Sequence, residues 1–277
     1  MKILILGSRG FIGRNLKNIL SNNAELFCPS SKELDLRDRN KVNNFFKNHF
    51  FDFVINCSIY GGRRTKKDNP YTLYFNLQMF FNILNNKQYF NKLINFGSGA
   101  EFDRSFSIDP MRNNVLKSLP EDFYGMSKNI IARIAYNDSN IYNFRLFGVF
   151  GIDEVDDRFI KSCIYNSLNN IDILINDNRL FDFFYIYDLT KIIESLIFEK
   201  SIHFPNELDL VYGNKILLSQ IADFIVLSTK SKVKISTSLN EGKPYCGTYN
   251  SFLNNFNLTG LQRGIIEIIQ NYKWRKN

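Results

Sequence analysis

An α/β fold, a parallel sheet wound by helices on both faces, is predicted for this 277-residue chain by three observations. Strand-like and helix-like stretches alternate from the N-terminus to Gly151, and parallel βαβ units are the economical arrangement for that order. The first strand signal runs directly into three glycines, Gly7, Gly10 and Gly13, where a helix begins. No linker rich in Pro, Gly or Ser and no repeat sets off the tail. Residues 152–176 and 201–277 therefore read as a small α/β lobe joined to a main domain at 1–151, with 177–200 returning to that domain.

The elements follow in order. Met1–Leu6 is an apolar, β-branched run that reads as a buried strand, and the segment after Gly10 has helical spacing. A glycine lets the turn take a backbone conformation forbidden to other residues. A second lets a phosphate approach the main chain, and a third lets helix pack close on strand. The new helix aims its first N–H groups and its positive dipole end at the same spot, so an anionic cofactor is expected there. The glycines taken alone also fit a plain turn. Ala24–Pro29 is a second strand, Arg37–Phe50 a helix, Asp52–Ser58 a third strand, Tyr71–Phe90 a long helix behind Pro70, and Lys92–Ser98 another strand. In the tail, Asp153–Asn169, Asp188–Lys200, Ser219–Thr229 and Gly260–Trp274 read as helices, and Asp172–Ile175 and Glu207–Tyr212 as strands. Crossovers of this kind are right-handed. Gly7, Ser58, Ser98 and Gly148 fall at carboxyl ends of strands, the rim where ligands of such sheets sit.

Composition narrows the class. Hydrophobic residues at 44% and charged residues at 22% are ordinary for a globular chain. No apolar stretch approaches the roughly 20 residues that span a bilayer, and the N-terminus enters strand and turn at once, without a signal peptide. A cytoplasmic protein with no membrane partner is expected. Cys28, Cys57, Cys163 and Cys246 are scattered without metal or disulfide spacing, and the first two fall in strand-like runs that predict buried thiols. His49 and His203 share no motif, which leaves no basis for histidine catalysis or a metal site. The net charge of +8 is spread along the chain, densest at Arg63–Lys67. It reads as a solvated basic loop or as attraction for phosphate-bearing ligands; no motif for reading nucleic acid accompanies it.

Tyr124 and Lys128 sit four residues apart, and on a helix they project from one face. A nearby cation favours the phenolate and lowers a tyrosine pKa from about 10, which suits proton transfer at a carbonyl or hydroxyl. Two more such pairs occur, Tyr187/Lys191 and Tyr272/Lys276, but only Tyr124 starts a helix in the βαβ portion, downstream of the strand-end Ser98.

These residues carry a resemblance. The glycine triplet, Asp35-Leu36, Ser98, Tyr124/Lys128, Arg145–Gly151 and Asp182–Asp188 stand in the order and rough spacing of the extended short-chain dehydrogenase/reductase family of nucleotide-sugar epimerases, dehydratases and reductases. They cover about two thirds of the chain. Ser8–Phe11, Lys32–Leu36 and Ser58–Gly62 are most similar to the GDP-fucose-synthase-like reductases of that family. The resemblance implies a Rossmann sheet, a C-terminal lobe that binds substrate, and a nicotinamide dinucleotide held by Gly7, Arg9, Gly10, Phe11, Ile12, Gly13, Ser30, Ser31, Asp35, Leu36, Cys57, Ser58, Lys128 and Phe147. It makes Tyr124 the acid/base, has Lys128 tune it and hold the nicotinamide ribose, and has Ser98 bind the sugar oxygen; Gly99 and Arg158 join Ser98 and Tyr124 in contacting substrate. It further implies a GDP-, CDP- or dTDP-linked sugar, a role in surface-polysaccharide sugar synthesis, and a second copy of the chain as a candidate partner.

The departures sharpen this. Where 4,6-dehydratases carry an Asp acid and a Glu base after the catalytic hydroxyl, this chain has Gly99 and Ala100. Where GDP-fucose synthases carry an epimerising cysteine, it again has Ala100, and Arg158 stands at the best match to their histidine. Arginine does not exchange protons near neutral pH. Glu101 is adjacent, but strand alternation turns it away from the face of Ala100, and a structural carboxylate is expected. What survives is hydride transfer without elimination or carbon-acid epimerisation, the chemistry of an NADPH-dependent 4-keto-6-deoxy-sugar reductase. A 4-epimerase, an NAD-dependent sugar dehydrogenase and a non-catalytic NADP-binding protein are the alternatives.

NAD-specific sites place a carboxylate at the end of the second strand. Cys28–Lys32 holds no acid, while Arg9 lies in the glycine turn. Arg9, Ser30, Ser31 and Lys32 therefore suit a 2′-phosphate, Arg9 by its planar fork, and NADPH is expected over NAD(H). Arg9 reaching only solvent or the pyrophosphate is the plainer alternative. Asp35 meets the adenine amine by family analogy, or caps the following helix. Asn76 is either a structural hydrogen-bonding residue near the site or an exposed one, and Asp188 is expected to cap its helix.

Overall fold

The computed structural model describes residues 1–62, 67–105, 108, 116–238 and 242–274, with side chains to residue 272. Two compact units emerge. The first takes Met1–Ser105, the described part of Met111–Arg145, and Thr190–Asp209. Its six-stranded parallel sheet runs β2 (Glu25–Phe27), β1 (Lys2–Leu6), β3 (Phe51–Asn56), β4 (Phe90–Ser98), β5 (Ile141–Leu146) and β9 (Glu207–Asp209). Strand order reverses beside β1, which pairs β2 on one side and β3 on the other. Such a switch point opens a crevice at the carboxyl ends of the strands. The returning segment is 190–209, shifted from the expected 177–200, because β9 hydrogen-bonds β5 from Asn143↔Glu207 to Arg145↔Asp209.

The pleat explains why the sheet is buried on both faces. Leu4 and Leu6 of β1 join a core with Val42 and Phe46 of α2 (Arg39–Lys47), Phe80 and Ile83 of α3 (Pro70–Leu84), and Ile131 and Ala135 of α4 (Phe123–Tyr136). Ile3 and Ile5 alternate with them, point to the other face and are also fully buried. Each such side chain stabilises the fold by about 1.5–3 kcal/mol through water exclusion.

Caps set the helix limits. Asp38, not Asp35, is the N-cap of α2 and accepts from Asn40 and Lys41 N–H, so this helix is shorter than the expected 37–50. Asn69 and Thr72 form a capping box on α3 with Pro70 in its first turn. That helix stops at Leu84; a short 3-10 turn at Lys87–Tyr89 follows, and the chain is already strand at Phe90.

The second unit takes Leu146–Leu189 and Leu210–Asn277. It carries two parallel pairs, β6 (Val149–Phe150) with β8 (Phe184–Tyr185) and β7 (Ile173–Ile175) with β10 (Ile235–Thr237). Its helices are α5 (Phe159–Leu168), α7 (Leu218–Thr229) and α8 (Leu261–Trp274), while α6 (Ile186–Phe198) begins in it. The helix expected from Asp153 begins only at Phe159. Asp188 does not cap α6 from outside. It lies in the first turn and accepts from Thr259 N–H (2.7 Å), Gly260 N–H (2.9 Å) and the Tyr212 hydroxyl (2.5 Å), tying down the chain ahead of α8.

Cys163 and Cys246 are buried, while Cys28 and Cys57, expected to be buried, are partly buried just past the ends of β2 and β3. His49 packs against the rings of Phe45 and Phe51, a packing role. Among the described residues no helix is long and apolar enough to cross a membrane, and no cluster of His, Cys, Asp and Glu could hold a metal. Arg63–Lys66 of the basic loop and Lys276 lie outside the described residues.

Candidate active site

The glycine turn joins β1 to α1 (Phe11–Leu20). Gly7 has φ +75°, and a Cβ on it would lie 2.8 Å from the Cys57 carbonyl group. On Gly13 a Cβ would overlap the Gly7 carbonyl oxygen and come within 2.8 Å of Ser8 Cα. Gly10 is the N-cap of α1, its N–H bonded to Gly7 O at 3.0 Å. No side chain caps α1 and its first turn holds no acid, so the turn fits an anionic pyrophosphate. Ser8 and Asn15 bond back to main chain, at Cys28 O and Phe11 O. Phe11 and Ile12 are half-buried, and Arg9 is exposed.

Ser98 ends β4, and the chain then curls into a 3-10 turn, Gly99–Glu101. Strand alternation stops there, and Glu101 folds back to accept the Ser98 N–H at 3.0 Å while pairing with Arg145, the structural carboxylate expected. Ser98 Oγ accepts the Ala100 N–H at 3.1 Å, which leaves the serine proton to donate. Asp122 caps α4 by accepting Gly125 N–H (2.8 Å), starting the helix at Phe123, so that Tyr124 stands in its first turn and Lys128 in its second. Gly125 fits because a Cβ there would meet Ala100 O at 2.6 Å. Lys128 Nζ donates to Phe96 O at 2.7 Å and lies 6.0 Å from the centroid of the Tyr124 ring. Burial pulls the Lys128 pKa down to about 8, against the opposing pull of Glu101 and Cys57. The Cys57 thiol is itself pushed up by burial. Ser98, Tyr124 and Lys128 thus share one corner, at the turn after β4 and the start of α4.

Behind that corner runs a buried polar chain that sequence reasoning missed. Asn56 donates to Asn95 (3.1 Å), Asn95 to Asn143 (2.8 Å), and Asn143 to Glu101 (3.3 Å). Arg145 then binds Glu101 (2.6 Å), Glu207 (2.8 Å) and Asp209 (3.3 Å). Burial raises the Glu101 pKa while Arg145, first among its charged neighbours, opposes that. At the other end, Asn56 accepts the Ser58 N–H at 3.2 Å. An asparagine in each of the strands β3, β4 and β5 was the available signal.

The end of β2 differs from expectation. Ser30, expected at a 2′-phosphate, has a partner of its own: both its N–H and its hydroxyl donate to Glu33, at 2.7 Å each. Glu33 N–H returns a bond to Ser30 Oγ (3.4 Å), a reciprocal pair announced in sequence by Ser-x-x-Glu. These two bonds depress the Glu33 pKa, with a smaller contribution from Arg9. Ser31 and Lys32 are exposed. Asp35 is gripped by Arg37 through Nε (2.9 Å) and Nη2 (2.7 Å), which lowers its pKa; it is not presented bare to an adenine. The Leu36 side chain belongs to the core and only its carbonyl is engaged, by Asn82. Phe147 and Arg158 lie in the second unit. Phe147 is buried edge-on to Tyr245. Arg158 is the N-cap residue of α5 and exposed, with Nε 3.8 Å from Glu154.

A family model, the NAD dependent epimerase/dehydratase family, matches residues 3–201. The chain belongs to that family. GDP-L-colitose synthase of Yersinia pseudotuberculosis is 34% identical over 143 residues, covering 48% of this chain and 46% of that one; the chain spans under half the length of this relative. Among solved structures, a GDP-mannoheptose C4 reductase from Campylobacter jejuni with NADP bound is similar with a TM-score of 0.82 at 17% identity, covering 98% of both chains. A dTDP-4-dehydrorhamnose reductase from Clostridium acetobutylicum gives 0.81 at 18% identity, over 99% of this chain and 100% of the other. These likenesses establish the shared fold.

Proposed function

We propose that this family member is an NADPH-dependent reductase of a nucleotide-linked 4-keto-6-deoxy sugar. The observation that carries the reading is the corner at α4. Its buried ammonium, Lys128, lies beside Tyr124, and the buried carboxyl whose charge acts on Lys128, Glu101, is locked to Arg145. One proton-transfer group suffices for a ketone reduction, whereas dehydration or epimerisation needs more. When bound, the nicotinamide supplies the hydride that the sugar carbonyl accepts at carbon 4. The main chain of the Gly7–Gly13 turn and the N-terminus of α1 hold the pyrophosphate. Arg9 supplies the cation for a 2′-phosphate. Ser98 donates its hydroxyl to the oxygen as negative charge builds on it. Tyr124 delivers the proton, and Lys128 stabilises the phenolate left behind. The named activities of the relatives, which include GDP-linked and dTDP-linked sugar enzymes, support the substrate class.

Glu33 favours a second reading. A carboxylate beside the ribose end suits NAD, and with it an NAD-using epimerase or dehydrogenase. Incubation with NADPH or NADH and a panel of GDP-, CDP- and dTDP-linked 4-keto sugars, products identified by NMR, separates the two. Tyr124→Phe is expected to abolish turnover and to keep cofactor binding. Near-normal reduction by that variant would overturn the assignment.

A further inference from the structure

The segment Tyr60–Gly62, part of the family motif, has no role in the chemistry above, yet it touches the proposed acid. Gly61 and Gly62 have φ +78° and +68°, and a Cβ on Gly62 would lie 2.6 Å from Tyr124 Cε2, 2.9 Å from Cδ2 and 3.0 Å from Cζ. The main chain at Gly62 is therefore a wall against one face of the phenol ring, and only glycine permits so close an approach.

Two side chains fasten that wall to the start of α3. Asp68 Oδ1 accepts the Gly62 N–H at 2.9 Å and the Thr72 hydroxyl at 3.3 Å. Buried Asn76 accepts the Tyr60 N–H at 2.8 Å and donates to Tyr60 O at 2.9 Å, pairing with the main chain as a strand would. The same amide donates to Ser127 Oγ (3.2 Å), and Ser127 donates to Tyr124 O (2.7 Å). The ring and the backbone of Tyr124 are thus both tied to α3.

We infer that Gly62, latched by Asp68, is a positioning device for the Tyr124 phenol, holding the ring where it meets Lys128 and substrate. The inference rests on Tyr124 being the proton donor. Its logic is geometric: a displacement of about 1 Å at a reacting group can cost a hundredfold in rate.

The test compares Gly62→Ala, Asp68→Ala, Asp68→Asn and Tyr124→Phe. Gly62→Ala is expected to lower kcat about 100-fold with the NADPH dissociation constant nearly unchanged. Asp68→Ala is expected to lower kcat about tenfold, and Asp68→Asn to restore most of it, since the amide oxygen still accepts from Gly62. The split between the two Asp68 variants stands even if Gly62→Ala does not fold. A substrate-free readout accompanies it: an NOE between Gly62 Hα and the Tyr124 ring, assigned as the tyrosine signal missing from Tyr124→Phe. It is expected in wild type and Asp68→Asn and is lost in Asp68→Ala. Absence of that NOE in wild type, an unchanged kcat in Asp68→Ala, or an Asp68→Asn as impaired as Asp68→Ala would each overturn the inference. An active Tyr124→Phe would overturn the proton-donor assignment instead.

Discussion

The two ends of the candidate groove carry similar charges in opposite surroundings. At the α4 corner, Lys128 is 7% exposed and Glu101 fully buried; at the β2 rim, Arg9, Lys32, Glu33 and Arg37 are all exposed. Water screens the rim, where ion pairs contribute little. Burial removes that screening at the corner, so one proton there changes both rate and stability. Charge type alone therefore says little; the dielectric around it decides what the charge does.

The corner should accordingly give the largest effects. Lys128→Met is expected to reduce kcat by roughly 100-fold or more. The pH dependence follows from a lysine lowered from its ordinary value to about 8. Between about pH 8 and the ordinary lysine range, the unfolded chain binds the proton that the folded chain has released. Stability contributed by this group therefore rises with pH across that window, while turnover falls as the ammonium is lost. Urea unfolding and kcat profiles from pH 7 to 10 should diverge in wild type, and the Met variant should lose this rise in stability. Parallel profiles would mean that Lys128 is not the controlling group.

How much of this was legible depended on whether main chain or side chains build the site. The glycine turn could be read because Gly7 and Gly13 answer to steric limits that act on any sequence. The parallel sheet was equally plain, since apolar runs alternating with amphipathic ones leave few topologies. The rim was not. Ser30 was assigned to a phosphate, but a four-residue turn returned Glu33 to it, and Asp35 was taken by Arg37 two residues on. Both residues have local partners two or three positions on, which the pattern of apolar and polar residues does not show. The structural role of Glu101 was legible but its partners were not: the strand ends at Ser98, so the period of two does not apply to residue 101. The asparagine chain across β3, β4 and β5 needed strand register, which sequence alone does not supply.

Rim variants should have smaller, selective effects. Arg9→Ala is expected to raise KM for NADPH about tenfold, the loss of one charge-assisted hydrogen bond at an exposed site. KM for NADH should stay within about twofold, because NADH has no 2′-phosphate to lose. Equal increases for both cofactors would assign Arg9 to the pyrophosphate and remove the basis for an NADPH preference.

The smallest effect tests the carboxylate that the turn brought back. Glu33 accepts two bonds from Ser30 and is close enough to Arg9 to feel its charge. In Glu33→Gln the amide oxygen still accepts from Ser30, so the turn is kept while the negative charge is removed. A 2′-phosphate then faces one fewer like charge, and KM for NADPH should fall about twofold at low salt, with KM for NADH unchanged. Raising the salt toward 0.5 M shortens the screening length and should erase the difference. If NADH binding weakens instead, Glu33 is acting as a hydrogen-bond acceptor for the ribose, and the rim belongs to an NAD site. Two measurements of KM at two salt concentrations distinguish a carboxylate that merely repels from one that recognises.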